Sequence, residues 1–345
     1  MAAVVRAEGA PGPTLVVEFG QLPCGAVASA EELGGLRAAL ARTPYARLNK
    51  IALYGPSADR ADPADRATSA DRADPADRAT SADRAEPAER ATSADRVPRG
   101  GRVGRVGPVL DYRFVQALPG GGFDFRAGCG HSLLACVVAA GRPGPVTVRA
   151  VTTGDVVHCT PEPGPGGAYT LRFRRSPDGP RTLPTGRPLD VLAGVPVSLV
   201  RYGNPYVFVD AAHLGIRTDD ALFRAGDDTL RRLLALRAHA ARVLGHAPHS
   251  ALPKIAAFTA GPGGTAVRAL TVGGWHPRLA LTGAAALAAA AALPGTVVPG
   301  LRGRPVRTPG GTVTVSADAH HVAVHHKRAT VVDRLELPWR IHATA

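Results

Sequence analysis

The sequence predicts an α+β protein made of two similar halves, each a curled, mostly antiparallel sheet around a buried central helix. Two helix-like runs, GHSLLACVVAAG and LTGAAALAAAAAL, are apolar on nearly every side. A helix without a polar face must be enclosed by other structure. Short segments rich in Val, Ile and Tyr stand before and after each run, as strands do. We expect the first half to cover residues 1–185 and the second to cover 186–345.

The elements of the first half alternate with turn residues. The segments that favour strands are VVEFGQ, KIALYG, LDYRFVQAL, VTVRAVTT, VVHCT and AYTLRFRR. PEPGPGG, at residues 161–167, predicts a turn. The stretch at 184–189 is the expected join between the halves. A further helix, outside the two central ones, is predicted over residues 228–245.

A repeat interrupts the first half over residues 58–96. The unit ADRADPADRATS occurs twice unchanged and once as ADRAEPAERATS. It has no Val, Ile, Leu or aromatic residue, so it has no apolar surface to repay the entropy of ordering. A solenoid repeat would need such a surface. We therefore predict a disordered or partly helical surface insertion.

Charge and composition limit the classes of function. The chain has 345 residues and a net charge of +13, and the repeat contributes ten acidic residues against seven arginines. No basic block or zinc-finger spacing accompanies the charge, so a small anionic substrate is favoured over nucleic acid. The apolar run at 283–295 is too short to cross a membrane. The absence of a signal peptide and of paired cysteine spacing predicts a cytoplasmic protein with free thiols. The Ala, Arg and Gly content is typical of a GC-rich bacterial gene.

Several motifs in one order resemble the PrpF family. They are KIALYGPS, DYRFVQ, CGHSLLACVVAAG, RYGNPYVFVDAAHLGI, LPKIAAF and RALTVGGWHPRLALTGAAALAAAAALPGTVV. That family comprises cofactor-free isomerases such as methylaconitate cis-trans isomerase, methylitaconate isomerase and oxalomesaconate tautomerase, which share the diaminopimelate epimerase fold. The resemblance implies proton transfer next to a carboxylate of a small unsaturated polycarboxylate, with no cofactor and no metal.

Cys129 is the candidate catalytic residue. It lies between two glycines, directly before the first central helix. A helix start offers unpaired N–H groups and a positive dipole end, which bind a carboxylate and favour a thiolate. A buried structural cysteine is the alternative. Cys136 and Cys159 fit that alternative better than Cys129 does.

The resemblance implies roles for further residues. Lys50, at the start of KIALYGPS, would be the second acid/base or a carboxylate clamp, although a leading lysine can also point into water. The residues that the resemblance assigns to substrate binding are Gly130, His131, Asn204, His276, Thr282, Gly283, Thr308 and Gly310. Lys254 is either one more anchor for an anionic group of the substrate or a solvated charge.

Three departures from the family pattern leave alternatives open. FGQLPCG replaces the opening Arg-Gly-Gly-Thr-Ser-Lys-Gly, His131 replaces an Asn, and RTPGG at 307–311 replaces Gly-His-Pro-Ser-Gly. Loss of the Arg and Ser of that opening motif removes a carboxylate clamp, and Arg307 is a candidate replacement for it. Cys24 stands where the family has Lys, so a two-thiol epimerase or racemase using Cys24 and Cys129 is one alternative. A catalytically weakened binding or accessory protein is another.

The cluster AHHVAVHHKR does not predict a zinc site. On a strand, His321 and His325 would share one face, and His320 and His326 the other. No Cys or carboxylate stands nearby at ligand spacing. The sequence leaves the oligomeric state open, with a homodimer among the options.

Overall fold

A computed structural model describes residues 2–22, 26–57, 108–119, 121–247, 250–301 and 303–336. The predicted disordered insertion at 58–96 and the candidate thiol of Cys24 lie outside these residues. The described chain forms two sheets and five α-helices. No helix in this part of the protein combines the length and apolar character needed to cross a bilayer.

The first sheet has eleven strands in the order β17-β18-β8-β7-β6-β4-β3-β2-β1-β19, with β5 paired to β4. Neighbours are antiparallel except in the β2–β3 and β4–β6 pairs. Its strands are β1 Ala2–Ala7, β2 Thr14–Glu18, β3 Lys50–Pro56, β4 Val109–Ala117, β5 Phe123–Asp124, β6 Val146–Ala150, β7 Asp155–Pro161, β8 Tyr169–Phe173, β17 Val315–Ala317, β18 Val322–Lys327 and β19 Ala329–Leu335.

The second sheet has eight strands in the order β16-β15-β13-β12-β11-β10-β9, with β14 paired to β13. Here the β11–β12 and β13–β15 pairs are parallel. Its strands are β9 Asp190–Leu192, β10 Val195–Tyr202, β11 Asn204–Asp210, β12 Lys254–Gly261, β13 Gly264–Thr271, β14 Gly274–Trp275, β15 Val306–Thr308 and β16 Gly311–Val313.

Five helices pack on these sheets, and the residues that the structure describes also include 3₁₀ turns at Phe19–Gln21 and Ala211–Leu214. The helices are α1 Ala26–Leu40, α2 Gly130–Ala139, α3 Asp219–Phe223, α4 Asp227–Val243 and α5 Leu281–Ala292. Helix α2 packs against the first sheet, while α5 contacts β10 and β11 of the second sheet and β17 and β18 of the first. Both belong to one apolar core, as their all-round apolar sequences require.

The predicted fold class is confirmed: two sheets each hold a central helix. The topology also shows that the C-terminal strands β17 to β19 return to the first sheet, where β19 pairs with β1 and β18 pairs with β8. We retain residue 185 as the proposed end of the first half. The second half proper would then run from β9 to β16, with the C-terminal strands closing the first.

Helix α1 was not predicted. Its centre carries Gly34 and Gly35, and each glycine costs a helix about 1 kcal/mol relative to alanine. The helix is stabilised by tertiary packing, since Leu33, Leu36 and Leu40 are buried against the outer face of the first sheet.

The predicted strand pattern for the histidine cluster is wrong at its first two residues. Strand β18 begins at Val322, so His320 and His321 precede it. Their backbone N–H groups donate hydrogen bonds to Asp318 Oδ1. His326 has φ 56°, which breaks the alternation of faces. Within the described residues, no group of three or more His, Cys, Asp or Glu is arranged to hold a metal ion.

Candidate active site

Cys129 lies at the N-terminal end of α2, as the sequence predicts. Its backbone is extended, and its carbonyl accepts hydrogen bonds from the Leu133 N–H (2.9 Å) and the Tyr112 hydroxyl (2.8 Å). The residue is half-buried and lines a small cavity between the two halves. The backbone is thus fixed from two directions at the point where the thiol meets the cavity. Cys136 and Cys159 are fully buried in the core.

The start of α5 meets the start of α2 at the same cavity. A Cβ added to Gly130 would lie 2.6 Å from Leu281 Cδ2, so the first residues of the two helices are in direct contact. Ala280, directly before α5, lines the same cavity as Cys129. Two helix N-termini therefore direct unpaired N–H groups and positive dipole ends toward one space. Such a space favours an anion.

Two lysines line the cavity, and no carboxylate does so among the described residues. Lys50, at the start of β3, is only 6% exposed, and Lys254, at the start of β12, is half-buried. Burial lowers the pKa of Lys50, while burial and the nearby Arg237 lower the pKa of Lys254 to about 8. Negative charge on Cys129 opposes both shifts. A buried cation without a partner is costly, so the cavity is built for an anionic ligand.

His131 and His276 stack on each other across the cavity, with ring centroids 6.1 Å apart and planes 19° apart. Burial and the charge of Lys50 lower the pKa of His276 to about 3, and burial lowers that of His131 well below its usual value. The Arg278 backbone N–H donates to His276 Nδ1 at 3.1 Å. The neutral ring of His276 therefore carries its proton on Nε2, as a hydrogen-bond donor.

Asn204 lines the cavity, but its side chain is already engaged. Its Nδ2 donates to the Gly128 carbonyl and its Oδ1 accepts from the Gly128 N–H, both at 2.7 Å. Nδ2 also lies 3.4 Å from Thr282 Oγ1. The geometry favours a positioning role, because one side chain of the second half holds the loop that carries Cys129. Thr282 is the second residue of α5 and itself lines the cavity.

Several predicted residues do not line this cavity. Gly283 packs under Tyr206, whose hydroxyl would lie 2.7 Å from an added Cβ. The Thr308 hydroxyl donates to the Gly311 carbonyl within the β15–β16 turn, and a Cβ on Gly310 would lie 2.7 Å from the Pro277 carbonyl. Gly283 and Gly310 thus allow neighbouring atoms to pack closely, and Thr308 stabilises the β15–β16 turn.

Arg307 is the candidate replacement for the lost carboxylate clamp. Its guanidinium instead forms an ion pair with Asp219 at the start of α3. The clamp position is therefore not filled by this arginine.

Gln116 and Tyr206 also line the cavity, and the sequence alone does not predict a role for either. Gln116 Nε2 donates to the carbonyls of Asn49 (2.7 Å) and Ala117 (3.1 Å), which fixes the backbone just before Lys50. Tyr206 also lines the cavity, and its hydroxyl bonds to Thr282. The sequence indicates the role of Gln116 only weakly, through a polar residue near the end of a mostly apolar strand.

Comparison with known proteins agrees with this fold. A family model described as PrpF protein matches residues 150–334, a range that includes Asn204, Lys254 and His276 but neither Lys50 nor Cys129. A methylitaconate-delta-isomerase structure aligns with a TM-score of 0.56 at 17% identity, covering 95% of this chain and 93% of that one.

A hydroxyproline epimerase from Agrobacterium vitis aligns with a TM-score of 0.54 at 15% identity, over 96% of this chain and 90% of that one. A probable proline racemase from Agrobacterium radiobacter K84 gives 0.52 at 14% identity, over 97% and 92%. At these identities the structures establish a shared fold. No curated protein matches the chain significantly.

Proposed function

Because this chain belongs to the PrpF family, we propose that it is an isomerase that moves a proton at a carbon next to a carboxylate of a small unsaturated polycarboxylate. The observation that carries the proposal is the meeting of Cys129, two helix starts and two lysines at a cavity with no described carboxylate. The family resemblance implies that the reaction needs no cofactor.

The first step would be removal of the proton by the Cys129 thiolate. The electron pair left on the carbon delocalises into the adjacent carboxylate, which gains enolate-like charge. The converging N–H groups of α2 and α5 and the ammonium groups of Lys50 and Lys254 would stabilise that charge. The Nε2–H of His276 would add a neutral donor.

The second step would return a proton to the carbon at the far end of the delocalised system. The Cys129 thiol can give back the proton that it removed, which leaves the enzyme unchanged. Lys50 can supply it instead, since its lowered pKa makes the ammonium a better acid than a solvated lysine. The second route leaves a thiol and a neutral lysine, so solvent must take a proton from Cys129 and return one to Lys50 before the next turnover. The two routes therefore differ in whether solvent hydrogen enters the product.

The test is NMR of candidate unsaturated di- and tricarboxylic acids incubated with the protein in D₂O. We expect a change in double-bond position or geometry, or exchange of a hydrogen next to a carboxylate. A protein that binds such an acid but catalyses neither would instead be the binding or accessory protein considered above.

A two-thiol epimerase is the less favoured alternative. In the second half, the position that matches Cys129 at the helix start is Ala280. Of the cysteines that the structure describes, Cys129 lines the cavity, whereas Cys136 and Cys159 lie in the core. That mechanism therefore depends entirely on Cys24, which lies outside the described residues.

A further inference from the structure

A large apolar pocket adjoins the candidate active site. It has a volume of about 620 Å³ and opens between the β4–β5 turn, helix α4 and strands β12 and β13. Lys254, Leu270 and Thr271 line both this pocket and the small cavity that holds Cys129. The two spaces therefore adjoin, and these three residues form their shared wall.

The far wall of the pocket is apolar. Its hydrophobic side chains are Leu118, Pro119, Leu230, Leu234, Ala251, Ile255 and Val272. Ile255 is fully buried, whereas Leu234 projects from α4 and is 44% exposed. An apolar surface that faces a pocket gains stability when a ligand displaces water from it.

Arg237 does not make this wall a second anion site. Its Nε donates to the Pro253 carbonyl at 2.8 Å, and one terminal nitrogen donates to the Ser250 carbonyl. The backbone thus holds the guanidinium. Lys254 stands with Lys50 and the two helix starts at the Cys129 cavity, and Arg237 is the one other charged residue among the described residues that line the large pocket.

We propose that the substrate is an amphipathic acid, with its carboxylates in the Cys129 cavity and an alkyl or other apolar substituent of several carbons in the adjoining pocket. This inference rests on the proposed function and adds the substrate class. A bare polycarboxylate would leave the apolar wall in contact with water. A pocket of this volume is in the range that holds ligands well above that size.

The test is titration calorimetry with methyl-, butyl- and hexylsuccinate at constant pH and salt. Burying each added methylene should tighten binding about fourfold, so butylsuccinate, with three more methylenes, should bind about sixtyfold more tightly than methylsuccinate. Leu234→Gln should reduce the gain per methylene. Leu189→Gln is the matched control, because Leu189 is 45% exposed and does not line the pocket.

Equal affinity across the series, or the same gain per methylene in Leu234→Gln as in wild type, would overturn the inference. The outcome is separable from that of the proposed function, because binding needs no turnover. A strong chain-length dependence, with neither conversion nor hydrogen exchange of any unsaturated di- or tricarboxylic acid, would support the pocket and refute the isomerase. Conversion of short unsaturated acids with a flat series would do the reverse.

Discussion

Replacing Asn204 should lower the unfolding free energy of the protein and slow its catalysis. The side chain is 2% exposed and forms two hydrogen bonds of 2.7 Å to the backbone of Gly128. Asn204→Ala leaves the N–H and the carbonyl of Gly128 without these partners. Each unsatisfied buried group costs about 1–3 kcal/mol, and Gly128 is half-buried, so we expect a loss of about 2–4 kcal/mol in unfolding free energy.

Urea denaturation followed by circular dichroism and fluorescence measures this loss. Asn49→Ala is the matched control, since the half-buried Asn49 side chain forms no hydrogen bond to a described residue. It should change stability by less than about 0.5 kcal/mol. Asn204→Asp should cost at least as much as Asn204→Ala, because a carboxylate would face the Gly128 carbonyl. An Asn204→Ala variant as stable as Asn49→Ala would refute the positioning role.

Three further predictions follow from the cavity and the core. Affinity for a dicarboxylate should fall as the pH rises through about 8, where Lys254 loses its proton, and Lys254→Met should reduce that fall in calorimetry to the part that Lys50 contributes. Gly283→Ala should destabilise the protein because its Cβ would meet the Tyr206 hydroxyl, and Tyr206→Phe should recover part of the loss in a double-mutant cycle. Cys136→Ser buries a hydroxyl in the core, so it should lower the melting temperature without changing the rate of turnover per folded molecule. Unchanged affinity across that pH range, additive losses at 206 and 283, or slowed turnover in Cys136→Ser would each contradict the corresponding prediction.

The central helices could be predicted because their signals are local. An apolar run bounded by Gly141 and Pro143 specifies both a helix and its burial. The site of Cys129 follows from the same run. Helix α1 could not be predicted in this way, because its stability depends on leucines that bury against strands distant in the chain.

The role of Lys254 also depends on long-range pairing. The parallel register of β11 and β12 places Lys254 opposite Tyr206, which brings it to the cavity. Sequence alone does not fix that register. Thr308 and Gly310 show that a family motif can keep its order along the chain and still lie away from the site. They lie in a turn that does not line the described cavity.

The most direct test of the account is the rate at which wild type, Cys129→Ser and Cys136→Ser convert a substrate acid, followed by NMR in D₂O. A general base contributes about 10²–10⁴ to a rate, so Cys129→Ser should be at least a hundredfold slower than wild type in conversion and in any incorporation of solvent deuterium. Cys136→Ser, on the same helix but buried in the core, should convert the acid at the wild-type rate once folded. Equal conversion rates for wild type and Cys129→Ser would contradict the assignment of Cys129 as the catalytic base.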